Sequence, residues 1–262
     1  MADKPNFILV PDALPEPPPG RTHEGAGFRA LIGFFIRFIP SRAAVALGVD
    51  QAVSTATTTV PGRPRLVFGF DATASREPAW ATARRVTDAL VRALPGELDV
   101  ALAVHGGSRL HTFTEFTANP NTLRDRAAAI SCIAGQTRLL PILSRSLALP
   151  GVRVVTYIGD VYEESPTHGR TLAYELERRG IKLIVLHDTA DWRARRDAEL
   201  FLDLARRTGG CVLPFDASAP DRLRELLAAV AVYAVGGAKL LHEKRDELPG
   251  AVVLLKHLTC SK

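Results

Sequence analysis

The chain has 262 residues, 47% of them apolar and 23% charged. That is ordinary for a soluble globular protein and enough for one large domain or two small ones with a substantial core. The net charge of +5 comes mostly from arginines that alternate with acids in segments such as "LERRG" and "WRARRDAE". With no aromatic-rich strand beside them, they read as solvated helix surface rather than as a nucleic-acid face.

Cys132, Cys211 and Cys260 lie far apart and in no CxxC pair. This argues against a disulfide framework and against a thiolate zinc site, and fits a cytoplasmic protein with reduced thiols. The N-terminal "MADKPNFILVPDALPEPPPG" lacks the basic and long apolar regions of a signal peptide. The most lipid-like stretch, "FRALIGFFIRFIP", contains Arg29 and Arg37 and falls short of the ~20 apolar residues that span a bilayer.

In chain order, residues 11–20 are proline-rich, and a short amphipathic helix is expected from Phe28 to Ile39, ended by Pro40. Gly48 to Pro64 reads as a linker, so residues 1–64 form an N-terminal extension. From Arg65 the texture changes. "RLVFGF" is a buried-strand candidate, Trp80–Leu94 a helix, "LDVALAVHGG" a strand, and "RLHTFTEF" a half-exposed strand joined to it by a hairpin at Gly106-Gly107-Ser108. Helices are expected over Thr122–Cys132 and Arg138–Leu149, then the apolar strand "VRVVTYIGD". A helix over Thr167–Arg179, the strand "IKLIVLH", a helix over Trp192–Thr208, the strand "CVLPF" and a helix over Ala219–Val235 complete the series. Strand–helix alternation over nearly two hundred residues predicts an α/β, Rossmann-like doubly wound fold. Its sheet should have six strands, mostly parallel with one antiparallel edge strand, and helices on both faces. The domain is expected over 65–237, with 238–262 as a C-terminal tail docked on it.

Open sheets of this type bind ligands beyond the C-terminal ends of their strands. Three loops place oxygen donors there. Asp71, Thr73 and Ser75 alternate after the first strand, Thr137 lies in "AGQTRL" before a helix, and Asp160 ends the strand "VRVVTYIGD". Oxygen-only donors suit a hard cation, and magnesium accepts one or two carboxylates with hydroxyls and waters. Two aspartates at most neutralise a divalent ion. A position can therefore stay open for an anionic oxygen from a partner. As separate features, Ser75 and Thr137 could be helix caps and Asp160 a turn residue; neither reading explains why all fall at the expected ligand edge.

The set Asp71-Ala72-Thr73-Ala74-Ser75, Thr137 and Asp160 resembles the metal-ion-dependent adhesion site of von Willebrand factor A domains: Asp-x-Ser-x-Ser, then Thr, then Asp after an apolar strand. The resemblance runs from about Arg65 to Gly237, with Thr73 in place of the usual serine. Asp71, Ala72, Thr73, Ser75, Arg76, Pro78 and Trp80 also match a bacterial subset whose motif begins "DATxSRxPxW". "FDAS" near Phe215 and "LLAAVAVYAVGG" near Leu226 fit the same subset. The resemblance implies Mg2+ (or Mn2+ or Ca2+) held by Asp71, Thr73, Ser75, Thr137 and Asp160. It also implies a protein partner whose Glu or Asp carboxylate joins the metal, as in a scaffold or regulator.

Two other readings compete. A phosphatase-like hydrolase would use Asp71 as nucleophile, but the acid/base position two residues on is Thr73, whose hydroxyl is no general acid near neutrality. A nucleic-acid binder would use the dispersed arginines. "HGGS" at 105–108 resembles an esterase oxyanion segment without a G-x-S-x-G elbow, and neither Walker A nor G-x-G-x-x-G occurs. No catalysis by the chain alone is expected. The histidines read as surface or strand-end residues. Glu163 and Glu164 read either as part of the metal rim or as first-turn acids of the following helix, and Trp80 as core packing behind the first loop.

Overall fold

The computed structural model describes residues 62–94, 96–189 and 192–259. The proline-rich segment, the helix expected at Phe28–Ile39, most of the linker and Cys260 lie outside the described residues.

The six strands are β1 (Arg65–Asp71), β2 (Asp99–Gly106), β3 (Arg109–Phe113), β4 (Val152–Gly159), β5 (Lys182–Asp188) and β6 (Cys211–Phe215). They form one sheet in the order β3-β2-β1-β4-β5-β6. All pairings are parallel except β2 with β3. The hairpin between those two turns through Gly107 and Ser108, both with positive φ (59° and 61°), as a two-residue primed turn requires. Strand order reverses at β1, whose neighbours are β2 on one side and β4 on the other. The C-terminal tips of β1 and β4 thus flank the switch point where such sheets hold ligands.

The central strands are apolar on both faces. Phe68, Phe70, Leu102, Val104 and Ile158 point into one cluster with Trp80, Leu90, Leu227 and Val230. Val67, Val155, Tyr157 and Val185 point the other way, against Leu139, Ile142, Leu176 and Phe201. The first face is covered by α1 (Glu77–Val86), α2 (Ala89–Arg92), α3 (Pro120–Ala128), α7 (Pro220–Glu243) and α8 (Pro249–Thr259). The second is covered by α4 (Leu139–Leu147), α5 (Pro166–Arg178) and α6 (Trp192–Arg207).

The helix expected over Thr122–Cys132 runs from Pro120 to Ala128, and two others differ in how they break. The helix predicted over Trp80–Leu94 begins earlier, with Pro78 in its first turn, and divides at Thr87 and Asp88. There the Thr87 hydroxyl donates back to Arg84 O (3.1 Å), and the Asp88 carboxylate accepts from Arg92 and Arg124 (2.6 and 2.5 Å). Short polar side chains that bond nearby groups compete with helix continuation. The helix expected to close at Gly236-Gly237 does break there, Gly237 having φ +64°, but a further helical stretch runs on to Glu243. Among the described residues α7 is the one helix long and apolar enough to cross a bilayer. Its Leu223, Leu226, Leu227 and Val230 are committed to the first core cluster. Ala251 and Leu254 of α8 join the same cluster. Gly250 permits this approach, since a Cβ there would lie 2.3 Å from Glu225 O.

Candidate metal centre

Asp71 is the last residue of β1 and is fully buried. Its Oδ1 accepts from the Thr73 backbone N–H (3.0 Å), which bends the chain out of the strand. Its Oδ2 is buried and has no hydrogen-bond partner among the described residues. Burial chiefly, and then the neighbouring Asp160 carboxylate, push the Asp71 carboxyl up to about 7, against the hydrogen bonds from Thr73 and the charge of Arg76. Thr73 is buried, Ser75 is exposed, and their hydroxyl oxygens lie 3.4 Å apart. The first loop therefore carries a buried carboxylate and two neighbouring hydroxyls.

The second loop is strapped to the first through the backbone. Ile133 N–H donates to Ala72 O (2.8 Å), Gly107 N–H to Ile133 O (3.2 Å), and Ala72 N–H to His105 O (2.9 Å). Gly135 lets the loop pass over the β2–β3 turn, because a Cβ there would meet Ser108 N at 2.3 Å. Thr137 then sits buried just before α4. Its N–H and hydroxyl both donate to one oxygen of Glu163 (2.9 and 2.8 Å). With its proton given to Glu163, the Thr137 hydroxyl oxygen keeps lone pairs for a cation.

Asp160 follows Gly159 at the tip of β4 and is half-buried. Its Oδ1 accepts from Val161 N–H (2.8 Å), and its carbonyl oxygen is 2.9 Å from His187 Nε2. Asp160 Oδ2 lies 3.6 Å from Arg76 Nη1. The two aspartates are coupled electrostatically across the switch point. Among the described residues no three His, Cys, Asp or Glu side chains group as metal ligands. A cation here would be held by two carboxylates and hydroxyls. The donor chemistry fits a hard ion, and the orphaned Asp71 Oδ2 is an oxygen that such an ion would satisfy.

Several residues around this edge take parts that the sequence left open or did not show. Arg76, read only as part of a motif, buries its guanidinium against Asp188 Oδ2 (2.9 Å) at the tip of β5. His105 is fully buried, with Nε2 2.8 Å from the Tyr157 hydroxyl and Nδ1 3.6 Å from Asp71 Oδ1. Burial lowers its pKa to about 3, so it stands neutral behind Asp71. Glu163 and Glu164 do not serve the helix that follows them. Glu163 holds Thr137, Glu164 accepts from Leu140 N–H (2.8 Å), and α5 is capped by Ser165. They supply the N-terminal acceptors of α4, whose N-cap residue, Arg138, makes no capping bond with its side chain. Trp80 packs on Phe70 with ring centroids 4.5 Å apart and donates from Nε1 to Ile130 O (3.1 Å). It thereby supports the segment leading into the second loop. His105 and His187 are strand-end residues, as expected, but buried ones.

No family model matches the sequence, and no curated protein matches it. Solved structures do. A von Willebrand factor type A protein from Catenulispora acidiphila aligns with a TM-score of 0.54 at 14% identity, over 65% of this chain and 43% of its own. The pilus adhesin SpaC from Lactobacillus rhamnosus GG aligns with a TM-score of 0.53 at 10% identity, over 68% of this chain and 31% of its own. Proximal thread matrix protein 1 from the mussel byssus, in a form with a zinc-occupied MIDAS motif, aligns with a TM-score of 0.51 at 13% identity, over 65% and 46%. This chain thus spans less than half the length of each of these structures.

Proposed function

From the premise that this chain has the von Willebrand factor A fold, we propose that it is a metal-dependent protein-binding module. A divalent ion, Mg2+ or alternatively Mn2+ or Ca2+, would be held by Asp71, Thr73, Ser75, Thr137 and Asp160, directly or through water. Such an ion supplies Lewis acidity toward an anionic oxygen, and a Glu or Asp side chain of a protein partner is the oxygen we assign to it. The observation that carries this reading is the buried Asp71 Oδ2, without a hydrogen-bond partner among the described residues and within electrostatic reach of the Asp160 carboxylate. A folded protein that keeps an unsatisfied carboxylate oxygen next to a second carboxylate bears a cost that a cation removes.

The chain's own residues support capture better than catalysis. The position that would carry a general acid next to Asp71 is Thr73, and its backbone N–H already holds Asp71 Oδ1. Of the two nearby imidazoles, His105 is enclosed and neutral, and His187 is buried with Nε2 2.9 Å from Asp160 O. We assign the module a scaffold or regulatory role in a bacterial cytoplasm. The unpaired Cys132 and Cys211 agree with a reducing compartment.

The test is affinity capture from cells with wild type and Asp71→Ala, each with Mg2+ and with chelator. The expected result is partners retained only by the wild type and released by chelator, with both proteins showing the same far-UV circular dichroism. Metal-dependent release of phosphate from an aryl phosphate, lost in Asp71→Ala, would overturn the reading in favour of a hydrolase.

A further inference from the structure

Among the described residues Arg76 is the cation that lies against the carboxylates of the candidate centre, and its surroundings are unlike those of an ordinary ion pair. Its side chain is 8% exposed and lies between two carboxylates on different strands. Nη1 is 2.9 Å from Asp188 Oδ2 and 3.6 Å from Asp160 Oδ2. Nε and Nη2 are buried without partners among the described residues. A guanidinium placed only to stabilise the fold would have its donors filled, because each unmet buried donor costs free energy.

The oxygen facing Arg76 matters. Asp160 Oδ1 is taken by Val161 N–H, so Oδ2 is the oxygen left for a cation, and that oxygen is the one nearest Arg76. We propose that Arg76 is a built-in counter-cation that competes with the divalent ion for Asp160 and so sets the affinity of the site, while Asp188 is the berth that holds it back. This rests on the metal-binding reading above. The charges give the reason. Once Asp71 is ionised, Asp71, Asp160 and Asp188 carry three negative charges and Arg76 one positive. With Arg76 seated on Asp188, Asp71 and Asp160 are left to balance a divalent ion. With Arg76 drawn onto Asp160, the ion meets one free carboxylate and a repelling guanidinium. Arg76 is therefore a positioning residue that tunes the ion without ligating it.

The proposal makes affinities move in opposite directions for the two partners of one ion pair. Titration calorimetry of the full chain with MnCl2, and separately with MgCl2, is the test, with thermal melts to confirm folding. Arg76→Gln is expected to bind Mn2+ about ten- to hundredfold more tightly than wild type, the size of effect a charge at this distance exerts. Asp188→Asn frees Arg76 to settle on Asp160 and is expected to bind more weakly. Arg76→Lys keeps the charge and should stay near wild type. The double variant Arg76→Gln/Asp188→Asn should regain tight binding, because Asp188 acts through Arg76. A supporting structural role alone would weaken binding in every variant. Loss or no change of Mn2+ affinity in Arg76→Gln, with wild type binding, overturns the counter-cation while leaving the metal site standing. If Arg76→Gln does not fold, an Asp188→Asn affinity equal to or above wild type overturns it instead. Absence of Mn2+ and Mg2+ binding in wild type and all variants removes the metal site and this proposal with it.

Discussion

The middle of the sheet and its C-terminal edge are built from the same strands to opposite standards. Along β1, Leu66, Val67, Phe68 and Phe70 are fully buried in apolar clusters on both faces. One residue further, Asp71 is equally buried but incompletely satisfied. Five buried side-chain polar atoms lack partners among the described residues, and four of them belong to Asp71, Arg76 and His105 at this edge. Packing satisfies the interior, whereas the edge leaves buried polar atoms unmet among the described residues, as the proposed ligand site requires. Such local violations mark functional ground more often than faults of folding.

This contrast predicts that variants in the two regions will differ in sign. Trp80→Ala, one layer beneath the first loop, should lose about 3–5 kcal/mol of stability in denaturant unfolding through the cavity it leaves. Asp71→Asn should do the reverse in metal-free protein at pH 8. The folded carboxyl has a pKa of about 7 against an ordinary 3.8. The fold therefore keeps this contribution below about pH 4, loses it as pH rises toward 7, and gains nothing further above. Removing the ionisable group should raise stability by on the order of 1–3 kcal/mol, read as a higher Tm that added Mg2+ no longer increases.

The same proton gives a third expectation. Binding of a divalent cation must displace it, so affinity in calorimetry should rise about tenfold per pH unit up to roughly pH 7 and then level off. A pH-independent affinity between 5 and 7 would dissociate Asp71 from the ion. The smallest effect is expected at the second loop. Glu163→Gln weakens the acceptor for Thr137 N–H and hydroxyl and should cost about 1 kcal/mol, the scale of a helix cap, with a modest fall in metal affinity.

Most of the sheet was legible because its strands are short apolar runs between turn residues, and β6 (Cys211–Phe215) matches the expected span "CVLPF". The loops after β1 and β4 were legible because polar oxygen-bearing residues follow apolar strands, whereas the loop of Thr137 joins α3 to α4 and reaches this edge through its backbone bonds to Ala72 and Gly107. The break between α1 and α2 was not legible: there Thr87 bonds back to Arg84 O, and Asp88 meets both Arg92 and, from another helix, Arg124. For Glu163 and Glu164 the sequence left two readings open, the rim of the site and the first turn of the next helix, and only the second fails. Sequence proximity favoured the next helix, while the folded chain brings them to the start of α4, about 25 residues earlier. Arg76 resembled any arginine beside a helix start.

By itself, the order of residues determined the alternation of strand and helix, the burial of both sheet faces, and the supply of carboxylates and hydroxyls in three loops. These are local properties, set by hydrophobic period, turn chemistry and donor type over a few residues. Only the tertiary structure decided that Arg76 would lie between Asp160 and Asp188, the latter 112 residues away. It alone left one oxygen of Asp71 without a partner. Both depend on β1, β4 and β5 standing side by side. That pairing is a property of the whole sheet, in which the burial that excludes water is what gives each charge at the edge its force.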